Sequence, residues 1–335
     1  MLNIPKIITS SLFNLTFLYR MRYQLITMLF LSCIASQSWA ANCLYISSYH
    51  AGYEWNDGIE QGIEAKLAGK CKLDKFYMDT KRNKSVKFAK RAALRAKAYI
   101  EKSSPDVIMA CDDNASKYLI MPYYRDKKMP FVFCGINWTA KEYDYPYKNA
   151  TGMIEVAPIS PLLKTIREVI ENPRKGVYLS ADVLTEHKDY ERYRKKYSAQ
   201  GIKLEGYFAK TMKEWVELYK QAQTADFVIL NNNSGINDWS KTTALNTVMK
   251  YTRSLTVTNY DWMTPYTMLA MTKLPEEQGE WAAQVALAIL GGESPHAIPV
   301  VANRRWKIYM NPLLLKGSPY IIPGYIQHKA IRVDN

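Results

Sequence analysis

The sequence predicts an α/β fold with two doubly wound parallel-sheet domains joined by crossover segments. Short apolar runs rich in β-branched and aromatic residues alternate with longer segments of helical period, which is typical of β-α-β units and parallel sheets. The alternation is interrupted by a loop rich in Tyr, Lys and Asp over 139–149 and then begins again. Polar and aromatic residues follow most of the predicted strands.

A leader is predicted over residues 1–40. Met21 and Arg22 begin a short basic segment, residues 25–34 form an apolar run, and small residues stand at Ser38 and Ala40. This is the layout of a signal peptide, and the apolar run is shorter than the roughly 20 residues that span a bilayer. We predict cleavage after Ala40 and a periplasmic product, with residues 1–20 as an upstream extension; a longer leader or a retained anchor is the alternative.

The chain is basic, with a formal net charge of +14. Removing residues 1–40 takes away Lys6, Arg20 and Arg22 and no acid, so the charge falls to +11. The basic residues are scattered over predicted helices, as on solvated helix faces, and no stretch resembles an RNA-binding motif. We therefore predict no nucleic-acid partner. We also predict that the protein is a monomer.

In the first half, the strands are predicted at 43–47, 73–78, 107–111 and 131–134, with helices near 57–67, 85–100 and 115–124. In the second half, strands are predicted at 176–179, 203–208, 227–230 and 255–258, with helices near 161–170, 187–197, 212–223 and 240–251. The tail adds strands at 268–272 and 306–310 and an amphipathic helix at 276–290, too little for a third core. We assign 41–150 and 262–292 to an N-terminal domain, and 151–261 and 293–335 to a C-terminal domain.

Four cysteines follow the leader. Cys43 begins the first predicted strand and Cys71 stands at the start of the second, just before residue 73. The two lie at the same sheet edge if these strands are neighbours, and we predict a disulfide between them. Cys111 and Cys134 end two later strands and either pair in the same way or stay as buried thiols. The four histidines are too dispersed for a metal site, and no cofactor is predicted.

Loops after the strands supply the candidate binding residues, because open parallel sheets bind ligands beyond the carboxyl ends of their strands. The first half offers aromatic, hydroxyl, imidazole, carboxyl and amide groups: Ser48, Tyr49, His50, Tyr53, Trp55, Asp112, Asp113, Asn114, Asn137 and Trp138. The second half offers Asn231, Asn232, Asp261 and Trp262. Such a set suits a solute with a planar or apolar body and several polar groups.

Each candidate also has a structural interpretation. Asp112, Asp113 or Asn114 are suited to capping the following helix, since Asp and Asn are common N-caps. Tyr53 and Trp55 are alternatively packing residues beneath their loop, and residues 231–235 a simple turn. His50 is alternatively a hydrogen-bonded structural side chain.

Five stretches carry a family resemblance: SSYHAGYEW at 47–55, MDTKR at 78–82, DDNA at 112–115, VFCGIN at 132–137 and TGMIE at 151–155. Together they resemble the type I periplasmic binding proteins, specifically the ABC-transporter substrate-binding group that includes tryptophan- and tyrosine-type binders and sensory relatives. The resemblance implies two domains that close on a ligand by hinge motion. The loop at 231 and the connector at 139–149 depart from the group's pattern.

The resemblance implies a solute receptor that delivers an aromatic amino acid or similar planar metabolite to an ABC permease. Lys81, Arg82 or a helix N-terminus would hold a ligand carboxylate. The alternative is a ligand-responsive partner of a membrane signalling protein. No nucleophile elbow, phosphate loop or paired-carboxylate motif is present, so we do not expect an enzyme.

Overall fold

The computed structural model describes residues 41–83, 85–236 and 238–333. The predicted leader and its cleavage site lie outside these residues. Within them, thirteen strands form two sheets: β1 (Ala41–Ser47), β2 (Cys71–Tyr77), β3 (Val107–Cys111), β4 (Phe131–Asn137), β5 (Ala150–Glu155), β6 (Lys175–Ala181), β7 (Lys203–Ala209), β8 (Phe227–Leu230), β9 (Leu255–Thr258), β10 (Leu269–Lys273), β11 (Val301–Ala302), β12 (Trp306–Met310) and β13 (Ile331–Arg332).

Helices follow most strands. They are α1 (Glu54–Leu67), α2 (Val86–Ser103), α3 (Asp113–Ala115, continued by the π-helical turn Ser116–Ile120 and by Met121–Tyr123), α4 (Ile159–Val169), α5 (Leu184–Ser198), α6 (Met212–Ala222), α7 (Lys241–Tyr251), α8 (Pro275–Leu290), α9 (Pro312–Leu315) and α10 (Gly324–Lys329). Single 3₁₀ segments occur at Ala140–Tyr143, Asp261–Tyr266 and Pro295–Ala297.

The two sheets have the strand orders β11-β5-β4-β3-β1-β2 and β13-β12-β10-β9-β8-β6-β7. We call each sheet with its helices the first lobe and the second lobe. The strands β3, β4 and β5 pair in parallel, as do β6, β7, β8 and β9, whereas β12 runs antiparallel to β10. Strands β3 and β8 are buried throughout, as expected when helices cover both faces of a parallel sheet. The predicted fold class is confirmed.

Sheet membership differs from the domain boundaries expected at 150, 262 and 293. β5 pairs with β4 in the first sheet, and β10 pairs with β9 in the second. α8 returns to pack on α1, β11 pairs with β5 in the first sheet, and β12 with β10 in the second. The chain therefore passes from one sheet to the other only after a paired strand has ended. A strand that left its sheet earlier would lose the backbone hydrogen bonds to its neighbour.

The segment 139–149, expected to be a polar connector, belongs to the first-lobe core. Tyr143, Tyr145 and Tyr147 are 6%, 7% and 2% exposed, and the Tyr145 ring stacks on Phe133 at a centroid distance of 4.1 Å. Their rings bury apolar area while the hydroxyls find partners, which is how tyrosine is accommodated in a core. The Tyr, Lys and Asp content of 139–149 is typical of a linker, but the tyrosines of this segment pack in the core.

Helix α8 is held unusually close to α1. A Cβ at Gly279 would lie 1.9 Å from the Ile59 carbonyl oxygen, and one at Gly62 would lie 2.3 Å from the Glu276 carbonyl oxygen. The two helices meet backbone to backbone at these glycines, which only the absence of side chains permits. This contact fixes α8, a helix that follows second-lobe strand β10, onto the first lobe.

Both cysteine pairs form disulfides. The predicted Cys43–Cys71 bond joins the amino-terminal parts of the neighbouring strands β1 and β2. Cys111 and Cys134, whose state the sequence left open, are register partners on β3 and β4 and are also bonded. The second disulfide therefore lies near the carboxyl ends of the strands, directly before Asp112 and Gly135.

Candidate functional site

A cleft of about 540 Å³ lies between the lobes, within the size range of small-molecule sites. It is bounded by residues at or after the carboxyl ends of first-sheet strands and by α5, β10 and the loops after β8 and β9. The lining residues are Tyr49, Tyr53, Trp55, Lys81, Asp112, Asp113, Asn137, Trp138, Glu142, Tyr143, Glu155, Thr185, Glu186, Lys188, Asp189, Arg192, Asn232, Asn259, Tyr260, Asp261, Trp262 and Lys273.

An aromatic corner lies on the first-lobe wall after β1. The rings of Tyr49 and Tyr53 meet edge to face at 5.2 Å, and the Lys81 ammonium lies 5.0 and 4.8 Å from their centroids. Burial, followed by the nearby Asp112 and Asp113 carboxyl groups, raises the pKa of Tyr49. The corner therefore presents a neutral hydroxyl and a cation held over two ring faces.

Asp112 lies at the floor of the cleft and is 3% exposed. Its Oδ2 accepts a 2.6 Å hydrogen bond from Asn56 Nδ2, and its backbone φ is +70°. Gly135, with a φ of +67°, faces it closely, since an added Cβ would lie 2.8 Å from Asp112 Oδ1. Burial raises the pKa of Asp112 to about 8; the Asn56 hydrogen bond opposes the rise, and the Glu155 and Asp113 charges add to it.

The helix-capping interpretation of Asp112 is not supported. It occupies the N-cap position of the first segment of α3, but its side chain makes no capping hydrogen bond. Beside it, Asp113 Oδ2 accepts 2.8 Å from Asn137 Nδ2 and Asp113 Oδ1 accepts 2.8 Å from the Tyr143 hydroxyl. Both carboxyl groups thus accept hydrogen bonds from neutral donors.

The second-lobe wall is built on Glu186, in the first turn of α5 and 1% exposed. Its Oε2 accepts hydrogen bonds from Tyr178 (2.8 Å), Ser180 (2.7 Å) and Asn231 Nδ2 (2.9 Å). The Tyr260 hydroxyl lies 3.4 Å from Oε1. Burial and then the Glu186 charge raise the pKa of Tyr178 and Tyr260, so this wall offers neutral hydroxyls around one carboxyl group.

Two contacts cross the cleft from lobe to lobe. Arg192 of α5 lies 4.4 Å from the ring centroid of Trp138, which follows β4, and it binds Asp189 at 2.7 Å. Burial and then the Glu186 charge raise the pKa of Asp189 to about 6, against the opposing effect of Arg192. Trp138 has a φ of +64°, a conformation that is uncommon for a large side chain and clusters at ligand sites.

The second crossing contact joins Lys273, at the end of β10, to Glu155, at the end of β5, in an ion pair. The Lys273 ammonium also lies 5.3 Å from the ring centroid of Trp55. At the mouth of the cleft, Trp262 is 52% exposed and lies against Tyr260 with a ring distance of 4.5 Å. An exposed ring of this size is available to a bound molecule.

Ten of the fourteen residues proposed from the sequence line the cleft: Tyr49, Tyr53, Trp55, Asp112, Asp113, Asn137, Trp138, Asn232, Asp261 and Trp262. Lys81 lines it as well, whereas Arg82 binds Asp79 at 2.7 Å on the surface. Asn232 lines the cleft and also stabilises a turn, because its Oδ1 accepts a hydrogen bond from Ser234 N.

Four proposed residues lie outside the cleft lining, and three of them, Ser48, Asn114 and Asn231, use their polar groups in hydrogen bonds within the fold. Ser48 Oγ donates to the Cys111 carbonyl at 2.7 Å and accepts from Ala115 N. Asn114 Nδ2 donates to Thr80 Oγ1 at 2.8 Å. Asn231 supports Glu186, and His50 Nδ1 lies 3.8 Å from Asp79 Oδ1.

Sequence reasoning missed eleven lining residues: Glu142, Tyr143, Glu155, Thr185, Glu186, Lys188, Asp189, Arg192, Asn259, Tyr260 and Lys273. Glu155 and Lys273 end strands, so the carboxyl-edge rule that found Asp112 would have found them had β5 and β10 been assigned correctly. The α5 residues resemble an ordinary charged surface helix, and their composition gives no signal of a cleft.

The charge of the cleft is opposite in sign to that of the chain. Seven carboxyl groups line it, from Asp112, Asp113, Glu142, Glu155, Glu186, Asp189 and Asp261, against four basic groups, from Lys81, Lys188, Arg192 and Lys273. Among the residues that the structure describes, no cluster of His, Cys, Asp and Glu is arranged to hold a metal ion. No helix in the described ranges combines the length and apolar character needed to cross a membrane.

No family model and no curated protein matches this chain. Solved structures do match it. A ligand-free, open substrate-binding protein with adhesive properties from Clostridium difficile has a TM-score of 0.70 at 12% identity, covering 88% of this chain and 100% of that one. An ABC domain in complex with L-Trp from Streptococcus pneumonia has a TM-score of 0.55 at 15% identity, with the same coverage.

A periplasmic ribose ABC transporter protein from Conexibacter woesei is similar over 83% of this chain and 96% of its own, with a TM-score of 0.54 at 11% identity. At these identities the similarity establishes the fold and leaves the ligand open. The chain has the type I periplasmic-binding-protein fold, with two parallel-sheet lobes and a cleft at the carboxyl ends of their strands.

Proposed function

We propose that this protein is a solute-binding protein that holds one small molecule in the cleft between its lobes. The observation that carries the proposal is the cleft itself: about 540 Å³ in volume, lined from both sheets by aromatic rings and hydrogen-bonding groups. A concave site that combines aromatic rings with polar groups is a usual arrangement for small-ligand recognition.

The rings of Tyr53, Trp55, Trp138 and Trp262 supply flat surface for a planar or apolar part of the solute. Amide, hydroxyl and carboxyl groups on both walls supply its polar contacts. The L-Trp complex of the pneumococcal ABC domain supports an aromatic amino acid or similar planar metabolite as a first candidate. Binding alone accounts for these groups, so we propose that the protein releases its solute chemically unchanged.

We further propose that the protein is exported and passes its solute to a membrane transporter. Two structural neighbours, the ABC domain and the ribose ABC transporter protein, support this partner. Two disulfides support an oxidising compartment such as the periplasm. The predicted signal peptide is consistent with the same location.

The test is a ligand screen on the complete chain. Amino acids, amines, nucleosides, sugars and small peptides are screened for a rise in melting temperature, because a ligand that binds only the folded state stabilises it by mass action. A hit is confirmed by calorimetry, and the recovered compound is examined by mass spectrometry. One unaltered molecule bound per chain supports the proposal; chemical conversion of the compound, or no binding across the screen, contradicts it.

A further inference from the structure

We propose that the bound solute is an organic cation whose ammonium or guanidinium group faces the carboxyl groups of Asp112 and Asp113. This inference rests on the proposed function of the cleft and specifies its ligand class. It differs from the expectation of an aromatic amino acid, whose ammonium and carboxylate charges cancel.

The first supporting observation is the excess of carboxyl over basic groups in the cleft lining, seven against four. The chain as a whole is basic, at +14. A surface region with the average composition of this chain would carry a net positive charge. The excess of carboxyl groups is therefore a specific property of the cleft. Walls of one sign around a low-dielectric cleft concentrate ligands of the opposite charge.

The second observation is the pairing of these groups. Two of the four basic side chains already bind carboxylates, Lys273 to Glu155 and Arg192 to Asp189. Asp112 and Asp113, by contrast, accept hydrogen bonds from the neutral groups of Asn56, Asn137 and Tyr143. Within the described ranges neither makes an ion pair, so both carboxyl groups are open to pairing with a positive charge on the ligand. Glu186 also makes no ion pair there, but Tyr178, Ser180 and Asn231 already donate to its Oε2.

Burial keeps Asp112 largely protonated near neutral pH when no ligand is bound. Its pKa is raised to about 8 by burial, and the adjacent Glu155 and Asp113 charges add to the rise. A cation against the two carboxyl groups would favour their ionised forms and replace the missing counter-charge. Charge-assisted hydrogen bonds of this kind are shorter and stronger than neutral ones.

An unpartnered acceptor lies in the same cleft. Asn259 is 3% exposed and lines the cleft, and its side-chain oxygen has no hydrogen-bond partner among the described residues. A buried polar atom without a partner is destabilising, so this oxygen favours a ligand that brings a donor. Trp55 Nε1 is a buried donor that likewise lacks a partner, so the same solute would offer one acceptor.

The experiment uses sets of compounds that share one body and differ in charge. The first set shares an indole body and consists of cationic tryptamine, zwitterionic L-tryptophan, the neutral amide of indole-3-propionic acid and anionic indole-3-propionate. The second set shares a guanidinium group and consists of agmatine, arginine and 4-guanidinobutyrate. Any hit from the ligand screen described above supplies a further set. Affinities are measured by calorimetry on the wild-type chain. We expect the tightest binder to carry a net positive charge and to exceed the member of its set with the least positive net charge at least tenfold.

Two variants locate the charge. Asp113→Asn should weaken the cation at least tenfold and reduce the dependence of its affinity on salt, while the neutral member of the set changes less. Asp112→Asn is a second variant should the first fold poorly, and Glu171→Gln, in an exposed turn before β6, is the control. A zwitterionic, neutral or anionic best binder, or a cation unaffected by both cleft variants, overturns the inference while leaving solute binding in place. Binding of no compound in any charge class overturns the proposed function itself.

Discussion

Asn56 and Asp112 form a buried hydrogen bond of 2.6 Å that connects helix α1 to the end of strand β3 at the floor of the cleft. Asn56 Nδ2 also lies 2.9 Å from Ser47 Oγ, at the end of β1. One amide group therefore joins the ends of two neighbouring strands to the helix above them. Because Asp112 also meets the cleft, this contact couples the stability of the first lobe to the chemistry of the site.

Asp112 should make the protein less stable as the pH rises from about 4 to about 8. The folded chain retains the Asp112 proton up to about pH 8, whereas an aspartate in the unfolded chain loses its proton near pH 4. The folded state binds more protons over this interval, so the free energy of unfolding falls with pH and levels off above it. Asp113, Glu155 and Lys81 face the same group and contribute to its charge balance.

Asp112→Asn removes this titration while its side-chain oxygen remains able to accept the Asn56 hydrogen bond. Its stability relative to wild type should therefore improve between pH 5 and pH 8 by a few kcal/mol, at about 1.4 kcal/mol for each pKa unit. Urea unfolding at several pH values measures the difference, with exposed Glu171→Gln as control. A difference that stays constant with pH, or that shrinks, would show that Asp112 ionises normally in the folded chain.

The two disulfides should differ in their effect on ligand binding. They close loops of similar size, with sequence separations of 28 and 23 residues, so replacing either pair by alanine should lower stability by about 2–4 kcal/mol. Only the Cys111–Cys134 bond adjoins Asp112 and Gly135. We expect its removal to weaken ligand affinity several-fold and removal of Cys43–Cys71 to leave affinity unchanged; equal effects on affinity would contradict this.

Gly279→Ala should destabilise the chain by about 1–3 kcal/mol, as overpacking does elsewhere. The new methyl group would lie 1.9 Å from the Ile59 carbonyl oxygen unless α1 and α8 separate. Gly324→Ala is the matched control, since no atom lies within 4 Å of a Cβ at that position. Chemical denaturation compares the two, and equal stability of both variants would mean that the helices separate freely.

The backbone at position 138 should favour glycine over other residues, because the φ of +64° at Trp138 is unfavourable for residues with a Cβ. Trp138→Gly and Trp138→Ala both remove the ring that faces Arg192, and both should weaken ligand binding. The glycine variant should nevertheless be more stable than the alanine variant by up to about 1 kcal/mol. Should alanine prove the more stable in urea unfolding, the left-handed conformation is not a source of strain.

The sequence predicted the architecture well because parallel sheets leave a simple pattern. Buried strands such as β3 and β8 are continuous apolar runs, and residues just beyond such strands, among them Tyr49, Asp113 and Trp138, met in the cleft as the carboxyl-edge rule requires. The rule did not separate residues that point into the cleft from their neighbours. Asp113 lines it whereas the adjacent Asn114 donates to Thr80, a difference set by side-chain direction.

The second wall was largely unpredictable, for a physical reason. Glu186, Asp189 and Arg192 lie on a helix that resembles a solvated surface helix, and only tertiary packing brings its first turns to the cleft. Lys273 was missed because the expected domain boundary at 262 assigned β10 to the first lobe, whereas β10 belongs to the second sheet. Chain crossings between two lobes depend on long-range strand pairing, which local periodicity does not encode.

The most direct measurement is calorimetry of the best compound from the screen on wild-type, Trp262→Ala and Tyr325→Ala proteins. The two aromatic residues are similarly exposed, at 52% and 50%, so neither change should disturb a core, but only Trp262 lines the cleft. We expect one molecule bound per wild-type chain, a loss of affinity of at least tenfold in Trp262→Ala, about 1.4 kcal/mol, and wild-type affinity in Tyr325→Ala. Unchanged affinity in Trp262→Ala, or an equal loss in both variants, would contradict solute binding in the cleft between the lobes.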